Sequence, residues 1–162
     1  MNRRTDRGFT LVEVLVSLVV LSVGLLGMAK MVMVSSHSND SAYLRSQATA
    51  LAYQALDRMR ANLPLSTTNG YATALGAMPA TPAGWPNAGC MVGCANAALA
   101  AWDVYAWKQA LLALPSGTGS ITTSGTFPMT ATVTVRWDDS VAQSVFQGAG
   151  AQMAVTLETV LQ

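Results

Sequence analysis

Apolar residues run almost unbroken from Phe9 to Ala29, in FTLVEVLVSLVVLSVGLLGMA. Between Val14 and Ala29 the chain carries no charge, and Ser17 and Ser22 are its only polar side chains there. These 21 residues make about 31 Å of helix at 1.5 Å per residue, which matches the ~30 Å hydrocarbon core of a bilayer. Met31 to Val34 extend the apolar character, and a polar interval, SSHSNDS, follows. The pattern then changes. Leu44, Ala48, Leu51, Ala52, Ala55, Leu56 and Met59 recur at spacings of three and four, and Arg45, Gln54, Asp57, Arg58 and Arg60 fill much of the remainder. That spacing predicts an amphipathic helix, ended by Asn62-Leu63-Pro64. One long helix over about 10–62 accounts for both halves.

Beyond Pro64 the chain turns to Gly, Pro, Ala, Thr and Asn, which is loop chemistry, up to Gly93. A second helix is predicted in ANAALAAWDVYAWKQALLALPSG, with Ala98, Trp102, Tyr105 and Leu112 as apolar markers and a stop at Pro115 and Gly117. Its tryptophans, Trp102 and Trp107, are expected to pack on the head. In TATVTVRW, Ala131, Val133, Val135 and Trp137 alternate with Thr130, Thr132, Thr134 and Arg136. This period of two predicts a strand with one buried face in an antiparallel sheet. Met153, Val155 and Leu157 repeat it, and GSITTSG supplies a further strand. The fold class is therefore α+β. A long N-terminal helix, its first half transmembrane, packs on a small antiparallel sheet of three or four strands with a second short helix.

Composition sharpens this picture. Only 10% of the 162 residues are charged and 51% are hydrophobic, against the roughly 25% charged of a soluble domain. Arg3, Arg4 and Arg7 precede the apolar run with only Asp6 against them. This places the N-terminus in the cytoplasm and the remainder outside. After residue 8, six Lys and Arg face seven Asp and Glu, so no basic field argues for nucleic acid. A plain signal anchor explains hydropathy and orientation but not Glu13, because a carboxylate in a membrane helix costs ~2.5–3.5 kcal/mol at the bilayer centre and less near an interface.

The stretch Gly8-Phe9-Thr10-Leu11-Val12-Glu13 resembles the processing site of type IV prepilins and type II secretion pseudopilins. The resemblance implies a basic leader, residues 1–8, removed after Gly8 by a membrane-embedded prepilin peptidase that then N-methylates Phe9. It also implies that Glu13 sets assembly register, pairing in a filament with the α-amine of a neighbouring subunit's Phe9. On this reading residues 9–31 form the transmembrane half of the long helix, 32–63 its periplasmic amphipathic half, and 64–162 the head. The second half resembles a minor-pilin branch, the type IV pilus modification proteins of the PilV type. Cys94, Asp103, Trp107, Leu114-Pro115-Ser116-Gly117-Thr118-Gly119 and Val133-Thr134-Val135-Arg136-Trp137-Asp138 carry that likeness. Its implied partners are other minor pilins, the major pilin, the inner-membrane assembly platform and a tip adhesin. Many major pilins have a proline near the position of Lys30, and this chain has none.

Cys90 and Cys94 are the only cysteines. In an oxidising periplasm a disulfide is expected, with Gly89 and Gly93 letting the short loop close. Two thiols and the distant His37 do not make a zinc site. No G-x-S-x-G is present, and Gly117-Thr118-Gly119 lacks the rest of a phosphate loop. Asp138 and Asp139 are adjacent and would point to opposite faces of a strand, as a turn after Trp137 rather than an acid/base pair. No catalytic residues, metal or cofactor are assigned. The rival readings are a type II secretion pseudopilin and a periplasmic enzyme on a signal anchor.

Overall fold

A computed structural model describes residues 8–83, 95–125, 128–140 and 152–162. Within them the elements run α1 (Leu11–Ala61), α2 (Leu63–Ser66), α3 (Asn96–Leu111), β1 (Thr118–Ser124), β2 (Met129–Asp138) and β3 (Gln152–Leu161). Cys90 and Cys94, and the arginines of the leader, lie outside the described residues. The chain divides into two compact units, Met1–Asn39 and Asp40–Gln162, and α1 contributes to each.

In the first unit α1 is exposed along its apolar length from Leu11 to Met33. Among the described residues it is the one helix long and apolar enough to cross a membrane. Its two hydroxyls are already satisfied. Ser17 Oγ donates to the Val14 carbonyl and Ser22 Oγ to the Val19 carbonyl, each at 2.8 Å. Neither adds an unpaired donor to a lipid-facing surface, where such a group would be costly.

In the second unit the fold is α+β, with the later part of α1 on a three-stranded antiparallel sheet of order β1-β2-β3. Ala48, Ala52, Ala55, Leu56 and Met59 form the buried stripe of α1, all five among the apolar positions whose spacing predicts this helix. Alanines there allow other elements to approach the helix closely. Ile121, Ala131, Val133, Val135 and Trp137 fill the inner face of β1 and β2, all fully buried. Met153, Val155 and Leu157 of β3 pack half-buried against the same core. On the opposite face the threonines meet across strands. Thr134 pairs with Thr156 in register, their hydroxyls 3.2 Å apart, a favourable cross-strand contact.

Helix α3 ties this core together. Its buried stripe is Ala100, Val104, Trp107 and Leu111, at spacings of four, three and four. Trp107 Nε1 donates to the Leu51 carbonyl of α1 at 2.9 Å. Two of the sequence markers sit differently from expectation, since Ala98 and Leu112 are exposed. The helix is apolar nearly all round, so periodicity does not select its inner face. The expected loop from Pro64 also opens differently, in the short helix α2. Proline is tolerated in a first helical turn because its missing N–H belongs to the set left unpaired there. Ser66 Oγ then donates to the Met59 carbonyl at 2.7 Å, folding α2 back on the end of α1.

Gly117 and Gly119 are required by close approach. A Cβ on Gly117 would lie 1.9 Å from the Leu111 carbonyl oxygen, and one on Gly119 would lie 2.6 Å from the Trp107 ring. The Gly117-Thr118-Gly119 run is thus where β1 starts against α3.

Candidate functional site

The helix that carries Glu13 starts abruptly because Thr10 caps it. The Glu13 N–H lies 3.3 Å from Thr10 Oγ1 and 3.1 Å from the Thr10 carbonyl oxygen, and the Val14 N–H donates to that carbonyl at 3.3 Å. Threonine is a favoured N-cap, since its hydroxyl accepts from one of the four N–H groups a helix start leaves open. Thr10-x-x-Glu13 has the spacing of a capping box. Glu13 stands in the first turn, where the positive end of the helix dipole favours a carboxylate. Thr10 is the residue that sequence reasoning missed, and the T-x-x-E spacing was the signal that could have found it.

Phe9 precedes the helix and is 83% exposed. A Cβ placed on Gly8 would meet nothing within 4 Å, so nothing in the protein's own packing demands glycine there. The Glu13 carboxylate takes part in no ion pair or hydrogen bond among the described residues. Glu13 and Ser17 share one side of α1, one turn apart. With Val20 and Leu21 they line a shallow groove, and with Phe9 and Val14 a second. Gly8, Phe9 and Glu13 are thus brought together at one exposed helix start.

The described residues of the second resemblance form no such exposed site. Asp103, Trp107 and Trp137 among them hold the head together. Tyr71, 1% exposed, donates its hydroxyl to Asp103 Oδ2 at 2.7 Å. Arg58 Nη1 approaches Asp103 Oδ1 at 3.4 Å and donates to the Asp103 carbonyl at 3.1 Å. This links α1, α3 and the segment after α2. Burial, and then the hydrogen bond to Asp103, push the Tyr71 pKa well above the ordinary tyrosine value. Asp138 ends β2 and its N–H donates to the Pro115 carbonyl at 2.8 Å. Asp139 is buried and accepts from Ser41 Oγ at 2.6 Å. Among the described residues, no three His, Cys, Asp or Glu side chains come together as metal ligands.

Residues 3–29 match the family model described as the prokaryotic N-terminal methylation motif. Neither a curated protein nor a solved structure matches the chain. Proteins with this motif are structural rather than catalytic, and the motif implies processing by prepilin peptidase and assembly with other pilins. Together with a long apolar N-terminal helix, it is consistent with inner-membrane anchoring. The matched residues include Gly8, Phe9 and Glu13 and support a type IV pilin-like family for this chain.

Proposed function

We propose that the protein is a minor type IV prepilin. Prepilin peptidase cuts after Gly8 and N-methylates Phe9. The mature chain stays in the inner membrane with its head in the periplasm, joins other minor pilins at the assembly platform and primes the pilus, taking a place at or near the tip beside an adhesin. The observation that carries this reading is the pairing of Gly8-Phe9 with an exposed apolar first half of α1 bearing one unpartnered carboxylate. An apolar helical segment that buries none of its surface in its own fold needs lipid or other helices around it. A carboxylate among packed helices needs a cation, and cleavage would create one, the α-amine of Phe9 on a neighbouring subunit. Glu13 is thus a register device. The minor role rests on the likeness of Asp103, Trp107 and the Leu114–Gly119 stretch to the pilus modification branch. Cys90 and Cys94 are proposed to form a disulfide in the exported head.

The test is deletion of the gene, scoring surface pili and secretion of exoproteins in parallel. Loss of pili with normal secretion supports the proposal. Normal piliation with lost secretion assigns the protein to a type II secretion system instead.

A further inference from the structure

Lys108 is 4% exposed, deep in a head that gives it no counter-ion. The chain has eight Asp and Glu, and all but Asp6, in the leader, lie among the described residues. The ion pairs there are Arg58–Asp103 and Arg60–Asp57. Lys108 Nζ instead donates to two backbone carbonyls, those of Ala74 at 2.7 Å and Gly119 at 2.5 Å. An ammonium has three N–H donors; besides the two carbonyls Nζ has only the face of the Trp107 ring, at 5.9 Å from its centroid, so one donor has no hydrogen-bond acceptor. Carbonyl dipoles offset part of the burial cost, but a full charge in a low-dielectric interior is compensated best by an opposite charge.

Beside Lys108 lies a cavity of about 310 Å³, lined also by Gly76, Met78, Gln109, Leu111, Leu112 and Thr118. Its walls are largely apolar. Leu112, 64% exposed, and Met78, 46% exposed, form an apolar rim that the core does not use. A largely apolar hollow with a few polar groups, here Lys108, Gln109 and Thr118, is the general form of a small-ligand site, and the volume falls at the small end of that range. One cation with no second Lys or Arg in the lining suits a monoanion rather than a phosphate, which calls for several donors.

We propose that this cavity binds a carboxylate carried on an apolar group, with the carboxylate on Lys108 and the apolar body against Met78, Leu111 and Leu112. Two sources share that chemistry, the end of a peptide chain with an apolar last residue and a free apolar carboxylic acid. The site is independent of the prepilin reading and of Glu13.

The full chain in non-ionic detergent, ¹⁵N-labelled, is titrated with N-acetyl-leucine, with N-acetyl-leucinamide and with N-acetyl-Ala-Ala-Leu. The amide resonances of Gly76, Gly117 and Thr118 are followed. Expected is saturable binding of N-acetyl-leucine, at least tenfold weaker binding of the uncharged amide, and loss of that preference in Lys108→Met. Leu112→Glu, at an exposed position the core does not need, is expected to weaken acid binding several-fold in a folded protein. A tripeptide that binds more tightly than N-acetyl-leucine identifies a chain end as the ligand, and equal binding identifies a free acid. Equal response to acid and amide in the wild type, or no response to either, overturns the proposal.

Discussion

Replacing Asp103 by alanine removes one carboxylate that serves three elements, and the structure sets the size of the effect. The largest loss is at Tyr71. Its hydroxyl is buried and donates to Asp103 at 2.7 Å, and a hydrogen bond to a charged group contributes ~1.5–3 kcal/mol. Without Asp103 the hydroxyl keeps only a long contact to the Arg58 carbonyl at 3.4 Å, so most of the ~1–3 kcal/mol cost of an unsatisfied buried polar group remains, and the two figures overlap because they describe one event. The Arg58 contact adds little. At 3.4 Å, with side chains 28% and 18% exposed, it is worth less than ~1 kcal/mol. A destabilisation of about 3 kcal/mol is expected. A domain of this size shifts by ~3–5 °C per kcal/mol, so Tm falls by ~10 °C. Tryptophan fluorescence of the full chain in detergent reads the melting of the head, which holds Trp107 and Trp137 buried. In Tyr71→Phe there is no hydroxyl to strand, so Asp103→Ala in that background is expected to cost about a third as much. Equal cost in both backgrounds, or a Tm change under ~2 °C in the wild-type background, refutes the claim that Asp103 holds the head through Tyr71.

Three further outcomes follow from the same contacts. Gly119→Ala drives a methyl to 2.6 Å from the Trp107 ring and is expected to destabilise by ~1–3 kcal/mol, whereas Gly8→Ala, with open space at its Cβ, leaves the melting curve unchanged; thermal scans compare them. Tyr71, held protonated by burial and by Asp103, stabilises the head fully below the unfolded tyrosine value of ~10, and that stability is lost as pH rises through the higher folded value. Burial lowers the Lys108 pKa, so its cost is present below the folded value and is relieved as pH rises towards ~10.4; Tm against pH should therefore fall above pH ~10 in the wild type and fall less in Tyr71→Phe. Glu13→Val is expected to insert in membranes and to be processed as well as the wild type, but to co-purify poorly with other minor pilins, and wild-type recovery would remove its register role.

What the sequence showed depended on how much of the pattern was local. The β2 alternation was readable because one face is entirely core, from Ala131 to Trp137, and the other carries threonines and Arg136. The extent of α1 was readable from its two contrasting halves, about 10–62 expected against Leu11–Ala61 observed. In α3 the inward face was not readable, because alanines, tryptophans and leucines surround the helix and only contact with the sheet decides between Leu111 and Leu112. Lys108 was hidden for a different reason. A charged residue reads as solvent-facing, and the carbonyls that hold it belong to Ala74 and Gly119, the former far along the chain. Asp103 and the two glycines were noticed as a motif, but their work, bonding Tyr71 and letting β1 approach Trp107, is visible only in three dimensions. At the N-terminus, Gly8, Phe9 and Glu13 were legible as chemistry because their spacing is local, while the cap from Thr10 went unread beside them.

The central claim is that this chain is cut after Gly8 and stays in the membrane by the helix that remains. Intact-mass and N-terminal peptide analysis of the protein purified from membranes tests it most directly, in cells with and without prepilin peptidase. The account predicts a mature chain beginning at Phe9 with one added methyl group in the first case, and the unmethylated chain with residues 1–8 still attached in the second. An unmodified chain that retains its leader in both would contradict it.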